Sequence, residues 1–378
     1  MAWEVRKLGD VCEIKGGKRV PKGYKLQSEP TDHPYIRVTD FNDNGTVGLD
    51  DLRYIDDSVF KQIKNYTISK KDLYLSIAGT IGKTGIIPDE LDGSNLTENA
   101  CKLVFKINIY NKFVYYFTQT KCFQEEAGLN TRTTAMPKLA LTRLSSIEIP
   151  IPPLAEQKRI VAILDEAFTA ISTAKENAEK NLKNAKELFE SYLNNIFEKK
   201  GKDWEEKKLG ECFRLKSGEN LTSKQMNKQG SFPVFGGNGI AGMHNAYNLT
   251  ENNVIIGRVG ALCGNVRLIK EKIWLTDNAF KITDFNYEFD YSYLTYLLNY
   301  KNLRNYARQA AQPVISNSSL ESVLLCFPKS LKEQQRIVAK LDALSEQTKK
   351  LEAVYAKKIA DLDELKKSIL QKAFRGEF

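Results

Sequence analysis

The sequence is poor in the residues that most often carry chemistry on their own. Its 378 residues include two histidines (His33 and His244), three tryptophans and four methionines. Its six cysteines (Cys12, Cys101, Cys122, Cys212, Cys263 and Cys326) are scattered, with no C-x-x-C pair. That spacing argues against a disulfide framework, and two histidines leave a structural zinc or other metal site without a ligand set. No run approaches the roughly 18 apolar residues of a membrane span, and the opening MAWEVRKLGDV lacks the apolar block of a signal peptide. No membrane role and a cytoplasmic location are therefore expected. Charge of one sign is not in large excess either. Lys plus Arg is 56, Asp plus Glu is 47, the formal charge is +9, and charged residues make up 27% of the chain. Such a balance suits phosphate contact over limited patches better than the steep electrostatic grip of a nonspecific binder.

Catalytic strings are also missing. Leu73–Gly85, LYLSIAGTIGKTG, runs an apolar stretch into Gly82-Lys83-Thr84. Only two residues separate Gly79 from Gly82, however, where a phosphate-cradling loop needs four so that its amides can wrap the phosphates. Ile160–Glu166 imitates the apolar strand and acidic pair of a Walker B motif, but it lies in a segment with helical patterning. Neither a glycine-rich turn for a methyl donor nor an Asn/Asp-Pro-Pro-aromatic motif is present, which argues against an adenine methyltransferase. Pro88-Asp89-Glu90 followed by Glu98 is at most a fragment of a nuclease carboxylate cluster. The chain is expected not to be an enzyme and to hold no cofactor or metal of its own.

What the sequence does contain is a repeat. Trp3–Lys18 (WEVRKLGDVCEIKGGK) returns as Trp204–Glu219 (WEEKKLGECFRLKSGE), with seven of sixteen positions identical. Leu96–Ala100 (LTENA) returns as Leu275–Ala279 (LTDNA), and Glu156–Asp165 (EQKRIVAILD) as Glu333–Asp342 (EQQRIVAKLD) with eight of ten identical. The landmarks keep one order, so two units of one architecture fill the chain. Residues 1–153 and 201–330 read as globular domains, 154–200 and 331–378 as helical spacers. Within the domains, Tyr35–Val38, Leu73–Ile77, Leu103–Ile107 and Val254–Ile256 read as strands between Gly, Asn and Asp turns, and Asn111–Phe123 and Tyr291–Gln309 as helices. The domains are α+β.

The spacers carry a coiled-coil seam. Leu164, Phe168, Ile171, Ala178, Leu182, Ala185, Phe189, Tyr192 and Ile196 keep a 4-3 spacing if Lys175 takes one slot. Ile337, Leu341, Leu344, Leu351, Tyr355, Leu362, Leu365 and Ile369 repeat it, with Thr348 and Lys358 filling the gaps. About 45 residues at 1.5 Å rise make a rod of roughly 65 to 70 Å. Chain connectivity then predicts two tandem pseudo-symmetric domains separated by long helices in an antiparallel coiled coil, with the termini close together. A duplicated domain on a rigid spacer suits a ligand with its own repeat, and duplex DNA presents the same groove face every 10 to 10.5 base pairs.

In combination these blocks resemble the specificity subunit of type I restriction-modification systems, the HsdS family. The matching residues are the tandem Trp-x-x-x-x-Leu-Gly-[Asp/Glu] openings (Trp3–Asp10 and Trp204–Glu211), the Ile-Pro-x-Pro-Pro-Leu-x-Glu-Gln-x-Arg-Ile block (Ile149–Ile160) and the closing Leu-x-x-Ser-Ile-Leu-Gln-x-Ala-Phe-Arg-Gly-Glu (Leu365–Glu377). The second proline block, Phe327–Glu333, lacks two of the prolines. The resemblance implies target recognition domains that each read half of a split site in double-stranded DNA, with the helices fixing the gap. It implies two adenine-N6 methyltransferase subunits and ATP-driven restriction subunits as partners, which would carry S-adenosylmethionine, ATP and magnesium.

On that reading, base and phosphate contacts are expected from polar and basic residues in loops flanking the strands. In the first domain these are Lys18, Arg19, Arg37, Lys83, Arg132 and Lys138; in the second, Lys216, Asn238, Arg258, Arg304, Arg308 and Gln312. Gln157, Arg159, Gln334 and Arg336 occur in both copies beside the seam and are expected to meet the methyltransferase. The Leu-Thr-[Glu/Asp]-Asn-Ala repeat is expected to be a structural turn. A non-enzymatic scaffold and an ATP-using or nuclease enzyme are the competing classes.

Overall fold

The computed structural model of the chain describes residues 3–128, 139–201, 203–308 and 312–378. It divides into two compact units, one formed by residues up to Asn177 together with Lys358–Phe378, the other by Ala178–Lys357. The same three sheets occur in each.

In the first unit, Glu4–Lys7 pairs antiparallel with Glu148–Ile151. Cys12–Gly16, Ala100–Phe105, Leu73–Ser76 and Thr84–Gly85 lie side by side in that order as a four-stranded antiparallel sheet. Arg53–Tyr54, Pro34–Ile36 and Asn95–Leu96 make a three-stranded sheet. In the second unit the pair is Trp204–Lys208 with Leu324–Pro328. Its four-stranded sheet runs Arg214–Ser217, Ala279–Thr283, Asn253–Gly257, Val266–Ile269, and its three-stranded sheet Gly239–His244, Phe232–Gly236, Trp274–Leu275. The repeat read from the sequence is thus a repeat of strand order.

Local chemistry trims the expected elements. The strand expected over Tyr35–Val38 stops at Ile36, because the Asp40 carboxylate accepts the Arg37 amide at 2.7 Å and starts a 3-10 turn. The helix expected over Asn111–Phe123 is two helices, Asn111–Thr118 and Lys121–Glu126, since the Thr120 hydroxyl accepts the Phe123 amide and caps a new start. Tyr291–Tyr300 ends early, where Asn302 adopts the left-handed conformation at φ 46°.

The two long helices are Leu154–Glu198 and Leu331–Arg375, 45 residues each. Pro153 precedes the first, and its carbonyl accepts the Gln157 amide. At the second, the Ser330 carbonyl accepts from Glu333 and Gln334, so the lost prolines are not needed to start it. Within the first unit the two helices run antiparallel: Arg159 donates to the Phe378 carbonyl, Lys366 lies over the Phe168 ring, and Lys175 pairs with Asp363 at 2.7 Å. Leu164, Ile171, Ala178, Ala185, Ile337, Leu341 and Thr348 are buried as the 4-3 spacing requires. Leu351 and Leu365 are not, with 41% and 47% of their surface exposed, while Leu370 and Ala373 are buried instead. A helix of 3.6 residues per turn drifts by roughly 20° per heptad against a 3.5 repeat, which carries a strictly spaced stripe off the contact line.

These helices close the cores. Leu8, Val11, Leu73, Leu103 and Phe113 pack in one cluster with Ile160, Val161 and Leu164 of the first long helix and Leu370 and Ala373 of the second. The second unit does the same with Phe197, Ile337 and Leu341. The Phe374 ring lies 4.9 Å from that of Phe113, and the Phe197 ring 5.0 Å from that of Tyr300. Each such aliphatic or aromatic burial stabilises by about 1.5–3 kcal/mol. Among the described residues no helix is long and apolar enough to cross a membrane.

Candidate nucleic-acid interface

The strongest repeat, EQ-x-R-I-V-A-x-L-D, is a clamp between each long helix and the helix of its own unit. Gln157 Oε1 accepts from the Tyr110 amide at the start of Asn111–Thr118, while its Nε2 donates to the Pro152 carbonyl, both at 2.8 Å. Gln334 Oε1 accepts from the Asp290 amide at the start of Tyr291–Tyr300, at 2.8 Å, and Nε2 donates to the Glu288 and Pro328 carbonyls. Two turns on, Asp165 accepts from the Tyr116 hydroxyl and Asp342 from the Tyr296 hydroxyl. Burial and the adjacent carboxylates push both phenols well above their ordinary range. Glu156–Arg159 and Glu333–Arg336 are matched two-point ion pairs on the exposed side.

The second repeat ties the sheets together. In the first unit the Leu96 carbonyl accepts from Lys18 and the Ala100 carbonyl from Gly17; in the second, the Leu275 carbonyl accepts from Glu219 and the Ala279 carbonyl from Gly218. Thr97 and Thr276 reach the neighbouring three-stranded sheets through the Ile36 and Phe235 carbonyls. A Cβ on Gly17 would lie 2.1 Å from the Thr97 carbonyl oxygen, and one on Gly218 2.2 Å from that of Leu275, so both crossings demand glycine.

On this frame the loops converge. In the second unit Gly260 and Gly264, at φ +101° and +85°, turn the chain between Asn253–Gly257 and Val266–Ile269. Asn238 reaches this loop through Oδ1, which accepts the Leu262 amide at 2.9 Å, and Arg304 through a bond from Nη1 to the Ala261 carbonyl. Gly260 donates to the Pro313 carbonyl, Ile315 to that of Arg258, and Arg308 to that of Val314, which brings the segment bearing Arg308 and Gln312 alongside. Arg258 lies over the Phe280 ring and makes long contacts with the Asp277 carbonyl and Ser217 hydroxyl, leaving its buried Nε without a partner among the described residues. Asn238, Arg258, Arg304, Arg308 and Gln312 thus share one loop surface. Lys216 is on the adjoining strand and pairs with Asp284 at 3.1 Å, holding that carboxyl below its ordinary range.

The first unit has the same turn with one residue fewer. Ser76 donates to the Lys83 carbonyl and Gly82 to that of Ser76, as Gly257 does to Asn265 and Gly264 to Gly257. The Gly82-Lys83-Thr84 run therefore passes into the strand Thr84–Gly85, where a phosphate-binding loop would pass into a helix. Lys83 Nζ is held by the Phe41 carbonyl and Asp43 at 3.1 and 2.8 Å. Arg37 is committed to Asp40 and Asp51, and Arg19 to Glu98. Lys18 is exposed, with its ammonium over the Tyr66 ring. Arg132 and Lys138 lie outside the described residues.

The expectation for the long helices needs a correction. Arg159 and Arg336 are exposed, but Gln157 and Gln334 are 1% and 0% exposed and satisfied by backbone within their own units. They have no surface to offer a partner; their repetition reflects the clamp. Sequence reading also missed Asp165 and Asp342, although both close the longest repeat and that recurrence was the available signal. Among the described residues no three His, Cys, Asp or Glu side chains gather to hold a metal ion.

Duplicated sheets, helix clamps and loop clusters that differ between copies define a class: a duplicated α+β frame whose two units carry different loops. Residues 2–183 and 201–359 each match the family model of the type I restriction modification DNA specificity domain, and the chain belongs to that family. It is 28% identical over 352 residues to the type I restriction enzyme EcoprrI specificity subunit of Escherichia coli, covering 89% of this chain and 86% of that one. Its fold matches, at TM-score 0.81 and 20% identity, a chain solved in work on complex assembly and conformational transition of the type I R-M system, covering 100% of this chain and 98% of that one. It also matches the HsdS subunit of Thermoanaerobacter tengcongensis, at TM-score 0.66 and 21% identity, covering 100% and 97%.

Proposed function

We propose that the chain reads a bipartite sequence in double-stranded DNA, each unit one half, and that it gives a type I restriction-modification complex its specificity without catalysing a step itself. The observation that carries this reading is one strand order present twice with different loops on it. A shared frame supports docking of two identical methyltransferase subunits, and unlike loops support unlike half-sites. Arg258, Arg304, Arg308 and Gln312 around the Gly260 turn, with Lys18 in the first unit, are the proposed DNA contacts. Arginines supply two-point donors to guanine edges, lysines hold phosphates, and glutamine matches an adenine edge. Asn238 spends Oδ1 on the Leu262 amide, so it braces the loop and has only its amide N–H groups to offer a base. Arg159 and Arg336, exposed beside the clamps, are the proposed contacts for the methyltransferase, and restriction subunits complete the assembly. Methyl donor, ATP and magnesium belong to those partners.

The test is to co-express the chain with an adenine methyltransferase subunit of a type I system from the same genome and map modified adenines by single-molecule sequencing. A split motif with one methylated adenine in each half is expected. Methylation that is the same when the chain is omitted overturns the reading.

A further inference from the structure

Two copies of one frame can read different half-sites only through positions the copies do not share. The most pronounced unshared feature is the hairpin of the second unit, Phe232–Gly236 with Gly239–His244, turned at Gly237–Asn238. In the first unit the matching strand, Pro34–Ile36, runs into a 3-10 turn at Val38–Asp40 and forms no such hairpin.

Beneath the turn lies Arg267. It stands opposite Ile255 in the sheet, where the first unit has Gly85 opposite Tyr74. A Cβ on Gly85 would lie 2.2 Å from the Gly45 carbonyl oxygen, so the first unit has no room there for a side chain. A Cβ on Gly239 would lie 3.4 Å from Arg267 Nη2 and 3.7 Å from its Cζ, which places the guanidinium directly against the turn. The Arg267 side chain has no ion pair or hydrogen bond among the described residues, and its Nη1 is buried without an acceptor. Burial pushes its pKa down, and no carboxylate offsets this. Arg267 is nevertheless partly exposed, and a guanidinium stays charged with five donors in a fixed fork, so one without a partner in the fold can meet an acceptor from outside. Next to the turn, Ile240 is 65% exposed, the highest value for a large apolar side chain among the described residues. Apolar contact beside a two-point donor is the pattern that distinguishes a thymine methyl and a guanine edge in the major groove, which admits a two-stranded ribbon.

We propose that Arg267 is a specificity-determining residue of the second unit, its guanidinium meeting the acceptor edge of a base pair beside the Gly237–Asn238 turn while Ile240 makes the adjacent apolar contact. This assignment rests on the DNA-reading function proposed above.

The test uses the full chain co-expressed with its methyltransferase, and compares the methylated motif of wild type with those of R267K, R267M and I240A. In R267M and R267K the first half-site should stay unchanged, while one position of the second half-site loses at least tenfold of its discrimination. I240A should relax a neighbouring position by a smaller factor. R267M keeps the apolar stem, and its thermal midpoint shows whether the unit remains folded; if it does not, R267K decides. An unchanged second half-site in a folded variant overturns the assignment. So does a uniform loss of methylation on all sequences, which marks a phosphate contact. A wild-type complex with no split motif overturns the DNA-reading function itself and the assignment with it.

Discussion

Gln157 and Gln334 show how a single side chain can fix the docking of a helix. Each accepts from the amide just before a helix and donates back to the strand that leads into its own long helix. Removing the side chain leaves a buried N–H and a buried carbonyl without partners, which costs about 1–3 kcal/mol. Q157A should therefore lower the denaturant midpoint of the first unit, and Q334A that of the second. Equal stability of either variant and the wild type in urea unfolding would show that water replaces the amide at no cost. Arg159 and Arg336 are different. Their two-point pairs with Glu156 and Glu333 are exposed and contribute little to stability, which leaves them available as docking contacts.

At the scale of elements, the long helices depart from an ideal heptad where the sequence already has a polar interruption. Lys175 occupies a seam position and meets Asp363 from the other helix, with 34% and 48% of the side chains exposed. Such a half-exposed pair adds at most about 1 kcal/mol, but it penalises registers that leave either charge unpaired. K175L combined with D363L should leave the melting temperature equal or higher, because apolar substitutes for a seam ion pair pack at least as well. The same variant should tolerate altered helix register, seen as additional cross-links between cysteines placed along the two helices. A clear loss of melting temperature would show that the pair stabilises the helices beyond setting their register.

For the whole molecule, each unit is completed by a segment distant in sequence. Phe374 packs on Phe113 and Phe117 of the first unit, and Phe197 on Tyr293 and Tyr300 of the second. Truncating a buried phenylalanine to alanine costs about 3–5 kcal/mol, and Phe374, only partly buried, belongs at the lower end. F374A should speed amide exchange across residues 3–177 and leave 204–330 protected, while F197A should do the reverse. Exchange that rises equally in both units after either substitution would mean that they unfold as one.

The duplication, the α+β content, the two long helices and the buried half of their seam were legible in the sequence, because repeats and periodicity are local in the chain. Leu351 and Leu365 were misplaced, since the drift of a 3.6-residue helix against a heptad depends on what each turn packs against. Gln157 reads as a surface residue in any linear pattern. Its partner amide lies 47 residues away, and that of Gln334 44 residues away, so only folding reveals them as buried clamps. The cationic loop residues were identifiable by type, but their availability was not: Arg37 and Lys83 are held by Asp40, Asp51 and Asp43, whereas Arg267 looks like an ordinary strand arginine until Gly239 of the facing hairpin is set against it. Sequence determined which elements form and that they form twice. Tertiary structure decided which polar groups are already satisfied and which still lack a partner, because hydrogen bonds join residues that only the fold brings within about 3 Å of each other.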